Sequence, residues 1–530
     1  MKTKTSIILS LFAALAGVSV CGAELKVSIN PEKTFQTVDN FAASDAWSGN
    51  FVGQYFGGAQ RGQIAKWLFS EKLGRDGNPE GIGLSMWRVN VGGGSLEQDG
   101  ADIEIYQRRA ESFLTKDGKN YDWGKCAGQQ YFMKMAKEYG CKKFLLFSNT
   151  PPVQMTRNGK GYGPGDFAAN IKPECYGKFA DFLADVAKHF QDEGYDISYI
   201  SPVNEPQVDW KNTNKQEGSS WRASEICKIM RELDRALSER GLDNTKLFIG
   251  EPARVVYAYG SLPNVDKSWG KVSEDERPTH FLKKFADDSS PLYLLNLKHM
   301  DKYVGCHAYK THETNEDLVS TRKLLKAACE KYGVGYQQTE WCLLPDSNQK
   351  TQWGLAEDWI DDNHADMQSS LVMGRIICAD FAISDATGWG YWKGMEVNGN
   401  FALISVFPTD GNLHHGGAVR SNKMLWTLGN FSLFVRPSYK RVELSGADDY
   451  SKVVGVAFVS PCGKRIVAVF VNSSFETETA RISLPEGAKV KDFSAFRTDS
   501  NMDMGNLRIA RADSLVIAPR SVTTLVIDLQ

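Results

Sequence analysis

The chain has 530 residues, 42% of them hydrophobic and 24% charged, with a formal net charge of −2. That composition belongs to a globular protein long enough for one large domain and one smaller one. With no basic patch and no acidic block, it excludes nucleic acid as a partner and a solvating tail as a role.

The first residues read as an address. Lys2 and Lys4 precede an apolar stretch at 7–20, and Cys21-Gly22-Ala23 offers the small residues of a cleavage site. Residues 1–23 are therefore expected to be a secretory signal, sending the protein to the periplasm, the cell surface or the medium. Lipidation at Cys21 is the lesser alternative, because Val20 is a poor match to the small residue such signals favour. No later run is apolar enough for a transmembrane segment, and a monomer is expected. The cysteines that survive cleavage are scattered singly, most within apolar runs, and read as buried free thiols rather than a disulfide framework.

Residues 24–40 hold a short strand at 25–29 that is expected to join a distant β-domain. From 41 to 430, apolar runs alternate with amphipathic helical segments. The runs fall at 38–43, 84–91, 143–147, 197–203, 246–249, 303–307, 335–338 and 387–391. Helical spacing is clearest at 176–190, 223–237, 318–332 and 367–383. This α/β alternation predicts a (β/α)8 TIM barrel, with an open doubly wound sheet as its competitor. Residues 431–530 change character. Short β-rich runs at 439–444, 453–459, 465–472, 480–484 and 522–527, separated by Gly, Pro, Asp and Ser, predict a C-terminal β-sandwich packed directly on the barrel.

Where the polar residues fall decides for closure. Nearly every run ends in a polar or aromatic cluster: Asp45 and Trp47 after the first, Arg88 in the second, Ser148-Asn149-Thr150 after the third. Asn204-Glu205-Pro206 follows the fourth and Glu251-Pro252 the fifth. His307-Ala308-Tyr309, Glu340-Trp341 and Trp392 mark the last three. A barrel builds its site from the C-terminal ends of all its strands, whereas a doubly wound sheet uses only the crevice at its switch point.

Two of those ends carry a glutamate suited to glycoside cleavage. That reaction needs an acid for the leaving oxygen and a second carboxylate at the anomeric carbon, about 5 Å away in retaining enzymes. Pro206 stops the strand that delivers Glu205, and Asn204 is placed to bond a sugar hydroxyl. Glu340 has Arg88 to keep it ionised and Tyr309 to orient it. For Arg88 a purely structural ion pair competes with this role, and for His307 a satisfied interior histidine is as good a reading as a sugar contact. Glu251 reads as a supporting residue. Asp45, Trp47, Trp341 and Trp392 are candidate substrate contacts.

The order Asn-Glu-Pro, His-x-Tyr and Glu-Trp resembles the clan A retaining glycosidases, and within them glycoside hydrolase family 30. The matching stretches are 38–44 (VDNFAAS), Ser85-Met86-Trp87-Arg88, 201–206 (SPVNEP) and 428–437 (LGNFSLFVRP). By that resemblance Glu205 is the acid/base and Glu340 the nucleophile, and the nearest branch is that of the endo-β-1,6-galactanases. Ala42 and Ala43 depart from the family's commoner Gly-rich form. An inserted loop at 51–61 and the Trp-bearing loop at 208–221 are expected to wall a cleft for an extended β-linked glycan. No metal site and no cofactor are expected: the histidines are dispersed and Gly92-Gly93-Gly94 opens no phosphate-binding helix. Alternative activities are β-1,6-glucanase, glucosylceramidase-like and glucuronoxylanase, the last with Arg254 for a uronate. A non-catalytic glycan-binding protein is the rival from another class.

Overall fold

The computed structural model describes residues 23–98, 102–343, 367–397 and 402–530. All but the last residue of the expected signal segment lies outside them.

Eight parallel strands form the barrel. They are β2 (Asn40–Ser44), β3 (Met86–Asn90), β4 (Lys143–Phe147), β5 (Asp196–Ser201), β6 (Lys246–Leu247), β7 (Tyr303–His307), β8 (Gly335–Glu340) and β9 (Gly388–Tyr391), with β1 reserved for the strand Ala23–Thr37 that precedes them. Their order runs β6-β5-β4-β3-β2-β9-β8-β7. The ring closes between its two end strands through backbone bonds. Leu247 N donates to His299 O at 2.9 Å, Asp301 N to Leu247 O at 2.9 Å, and Ile249 N to Tyr303 O at 3.0 Å. The fold is a (β/α)8 barrel. Covered on both faces, β2 and β3 are buried from end to end, with Arg88 the one charged side chain in them.

Helical spacing explains the outer ring. In Tyr176–Asp192, Phe179, Phe182, Leu183, Val186 and Phe190 recur along one stripe and are all buried, as are Ile226, Ile229, Met230, Leu233 and Leu237 in Ala223–Glu239. Thr314 caps Asn315–Tyr332 by accepting from Asp317 N, and Gly333 ends it at φ 65°. Met367–Ala382 is buried around nearly its whole circumference, because it lies between the barrel and the second domain.

That domain is one nine-stranded mixed sheet, curled so that one face encloses its own core. β1 lies inside it, antiparallel to Lys440–Ser445 and parallel to Glu478–Ser483. Strand alternation divides the apolar side chains of Val453–Val459 between two cores. Val453, Ala457 and Val459 fill the sandwich, while Val454, Val456 and Phe458 join the barrel's core. Phe458 meets Phe381 of the Met367–Ala382 helix edge-on at 5.4 Å between centroids, and Phe381 lies 5.4 Å from Phe41 of β2. The two domains are therefore joined by continuous packing.

Two expectations change. Residues 51–61 are not a loop: helices Ser48–Tyr55 and Gly58–Phe69 cover them, and Phe51, Val52, Ile64 and Leu68 are buried. The glycines around the break at Phe56–Gly57 mask an ordinary helical pair. The fifth barrel strand is only Lys246–Leu247, shorter than 246–249. Of the nine described cysteines, all free, eight are buried and Cys462 is exposed.

Candidate active site

The C-terminal ends of the barrel strands converge on Arg88. The residue is 1% exposed, and its guanidinium reaches three partners at once. Nη1 donates to Glu340 Oε2 at 2.7 Å, and Nη2 donates to Asn204 Oδ1 at 3.1 Å and to Glu251 Oε1 at 3.2 Å. Phe147 lies beneath it, 3.6 Å from its ring centroid to the guanidinium carbon, a contact that stabilises a desolvated cation. Asn204 passes the network on by donating to Asn149 Oδ1 at 3.1 Å.

Glu205 is held by its backbone. It adopts φ 44°, a left-handed conformation uncommon for a residue with a side chain. Its N–H donates to Glu251 O at 2.9 Å, and its carbonyl accepts from Val208 N at 3.1 Å and from the Trp210 indole at 3.2 Å. The strain is offset by these bonds at the point where the chain turns over the barrel mouth.

His307 bridges the two glutamates. Its Nδ1 lies 2.9 Å from Glu205 Oε1 and 3.4 Å from Glu340 Oε1. A register shift between Cys306 and His307 brings His307 level with Glu340 across the β7–β8 pair, the re-aiming that a bulge provides. Tyr309 completes the set, its hydroxyl donating to Glu340 Oε1 at 3.0 Å.

Three carboxylates and two basic groups thus share one buried cluster, and their proton affinities follow. Burial raises the Glu340 carboxyl; His307 and Arg88 pull it down, while Glu205 and Glu251 push it up, and the net direction is upward. For Glu251 burial also acts upward, but Arg88, His307 and hydrogen bonds from Ser201 and Thr339 win, and the net direction is downward. His307 is disfavoured as a cation by burial, yet Glu340, Glu205 and Glu251 carry it above the ordinary imidazole value. The donor atoms of Glu205, His307 and Glu340 lie within 4.8 Å of one another, a spacing that a metal ion could use. Arg88 already occupies one oxygen of Glu340 and the imidazole is driven toward its cationic form, so a divalent ion there would face two positive neighbours.

A cavity of about 630 Å³ opens over the pair, with Glu205, Glu340, Tyr309, Trp210, Arg254 and Trp392 in its wall. Trp392 meets Trp47 edge-on at 5.1 Å, and Lys393 Nζ and the Arg108 guanidinium approach the Trp47 ring at 4.6 and 5.3 Å. Three sequence-predicted contacts, His307, Trp341 and Asp45, are sealed instead, each 0% exposed. Trp341 is 0% exposed and packs against Trp389, Tyr391 and His312. It follows Glu340 directly, so strand alternation turns it away from the mouth. Asp45 is also 0% exposed; its carboxylate accepts from Asn90 N at 2.9 Å and Gln129 Nε2 at 2.8 Å. Burial lifts its pKa to about 7 against those bonds and the pull of Arg88. The sequence reading missed the direct bond of Glu251 to Arg88, and also Glu217, whose buried carboxylate accepts from Gly93 N and Ser95 N at 2.9 and 3.0 Å. No local motif marks Glu217; the only signal for Glu251 was its place at a strand end.

A closed parallel barrel with two glutamates brought together at its mouth, fused to a β-sheet domain, is the arrangement of a glycoside hydrolase. The profile of O-glycosyl hydrolase family 30 matches residues 24–401, and the chain belongs to that family. Its fold is similar to that of a conserved exported protein from Bacteroides fragilis, with 29% identity, a TM-score of 0.84, and coverage of 94% of this chain and 99% of that one. It is also similar to the catalytic domain of the family 30 xylanase C from Talaromyces cellulolyticus, at 20% identity and a TM-score of 0.64, covering 95% and 99%. An endo-β-1,6-glucanase shares 15% identity at a TM-score of 0.61, with 95% and 94% covered. The protein is an O-glycosyl hydrolase acting on glycans. No helix among the described residues is long and apolar enough to cross a membrane.

Proposed function

We propose that the protein is a retaining hydrolase of β-linked polysaccharides, with Glu340 as nucleophile and Glu205 as acid/base, acting internally on β-1,6-galactan. The observation that carries the retaining reading is the separation of the carboxylates, whose nearest oxygens are within 4.8 Å. Double displacement uses carboxyl groups about 5–5.5 Å apart, whereas inversion needs about 6.5–9.5 Å to admit a water.

In the first step an oxygen of Glu340 bonds to the anomeric carbon while the glycosidic C–O bond breaks and Glu205 gives its proton to the departing oxygen. In the second, Glu205 takes a proton from water, the water oxygen bonds to the anomeric carbon, and the Glu340 ester bond breaks. Arg88 and Tyr309 hold one oxygen each of Glu340, and His307 holds Glu205. Asn204, Trp392 and Trp47 are the proposed sugar contacts at the reacting ring. Galactan as the substrate rests on the family branch that the sequence resembles. Export rests on the segment at 1–23 and on the likeness to an exported protein.

The test is a screen against β-1,6-galactan, β-1,6-glucan and glucuronoxylan, with product sizing and proton NMR of the first-formed anomer. Long early products from galactan with retained configuration are expected. An inverted product would remove the nucleophile, and cleavage of another glycan alone would replace the substrate. Binding without turnover of any glycan would favour a non-catalytic role.

A further inference from the structure

Phe167 has an unusual backbone. Its φ is 50°, the left-handed region, where an apolar aromatic side chain gains no local hydrogen bond to offset the strain. The chain on either side is tied down to hold it there. Arg157 makes paired bonds of 2.9 Å to both oxygens of Asp166, and its Nε donates to Ala169 O at 2.9 Å. Ala169 N donates to Glu225 Oε2 at 2.9 Å, and Asn170 N to Ser219 Oγ at 2.9 Å. This loop is braced by Glu225 of the helix Ala223–Glu239 and by Ser219 just before that helix, and the residue it presents is half-buried.

The ring has a backing. Phe167 lies over Trp269 at 4.6 Å between centroids with the planes 37° apart, and Trp269 is only 2% exposed. The buried indole serves as a floor and the phenyl ring as the surface it supports.

The position of the ring links two spaces. Phe167 borders the catalytic cavity and also an adjoining groove of about 470 Å³ whose other walls include Arg222, Lys271 and Glu276. The cavity wall leading to it comes from the residues just after Glu205, among them Trp210 and Asn214. Phe167 thus shares the catalytic cavity with the residues that follow Glu205, and a retaining hydrolase holds the departing part of its substrate on the side of its acid/base.

We propose that Phe167, backed by Trp269, is a stacking platform for a sugar ring in the leaving-group portion of the glycan, beyond the residue next to the cleaved bond. A flat apolar ring offers a face to the C–H side of a pyranose, and the charged groove walls offer partners to its hydroxyls. The platform makes the enzyme select long chains. This rests on the retaining-hydrolase reading above.

The experiment compares kcat/KM for β-1,6-galacto-oligosaccharides of increasing length with kcat/KM for para-nitrophenyl β-galactoside, whose leaving group carries no further sugar ring. Phe167→Ala lowers the long-to-short ratio by about tenfold, through KM, the worth of one aromatic contact. Phe167→Leu, which keeps apolar contact with Trp269 and so preserves the fold, lowers it similarly, and Phe167→Trp restores it. A ratio unchanged in both the Ala and Leu variants, or one that Trp fails to restore, overturns the proposal. Calorimetric titration of the longest oligosaccharide into Glu340→Gln and Glu340→Gln/Phe167→Leu reads the platform without turnover: about tenfold weaker binding in the double variant supports it, and equal affinity overturns it. Loss of turnover on every substrate by the wild-type protein would count against the hydrolase reading, and the titration would still decide the platform.

Discussion

Arg88 Nη1 stands 2.7 Å from Glu340 Oε2 while Nη2 of the same guanidinium bonds Glu251 and Asn204. One cation thus orders the proposed nucleophile, a supporting carboxylate and the neighbour of the acid/base. Its fork can reach all three because the donors are rigid and divergent. Removing it would leave carboxylates buried without their counter-charge. Arg88→Met is expected to lower stability by about 3–5 kcal/mol, and Arg88→Lys to recover only part of the loss. Urea denaturation measures this, and a loss below the range for a broken buried pair would show that water replaces the guanidinium.

The proposed division of labour predicts unequal losses for the two glutamates. Glu340→Gln is expected to reduce kcat by about 10⁴-fold or more, as removal of a covalent nucleophile does. Glu205→Gln is expected to cost about 10²–10⁴-fold, most for poor leaving groups and least for an activated aryl glycoside. Steady-state rates on both substrate types test the assignment; a Glu340→Gln variant near the native rate would sink it.

His307 sets a pH dependence. In the fold burial opposes its cation, but Glu340, Glu205 and Glu251 raise its pKa above the ordinary 6.5. Its stabilising contribution is therefore complete below that ordinary value and fades as pH rises through the raised one. The same cation restrains Glu340, whose pKa burial has lifted above the usual 4.5. His307→Gln removes the restraint, so the acid limb of the kcat/KM profile is expected to move to higher pH. A limb that stays in place would mean that His307 is neutral in the working enzyme.

Phe458 tests the join between the domains. It is 0% exposed and packs on Phe381, which reaches the barrel strand through Phe41. Phe458→Ala is expected to cost about 3–5 kcal/mol while unfolding remains a single transition. Two separate transitions in calorimetry, already present in the native protein, would show that the shared core does not couple the domains.

Much of this was readable in one dimension because the relevant periods are local. Apolar runs alternating with helical stripes specify a barrel, and polar residues at run ends mark its mouth; both follow from backbone geometry that every strand and helix repeats. Glu205 and Glu340 stood out because each ends such a run. Trp341 could have been read correctly by the same logic, since consecutive strand residues face opposite ways.

What the sequence determined by itself was therefore the architecture, the family and which carboxylates reach the mouth. Only the tertiary structure decided how those groups are charged and held: Arg88 shared among Glu340, Asn204 and Glu251, His307 lying between both glutamates, and Glu217 fixing a loop far from it in the chain. The reason is that a carboxylate's proton affinity depends on burial and on charges a few ångströms away. Those neighbours come from different strands, and the register shift at His307 that aligns one of them has no counterpart in the spacing of residues along the chain.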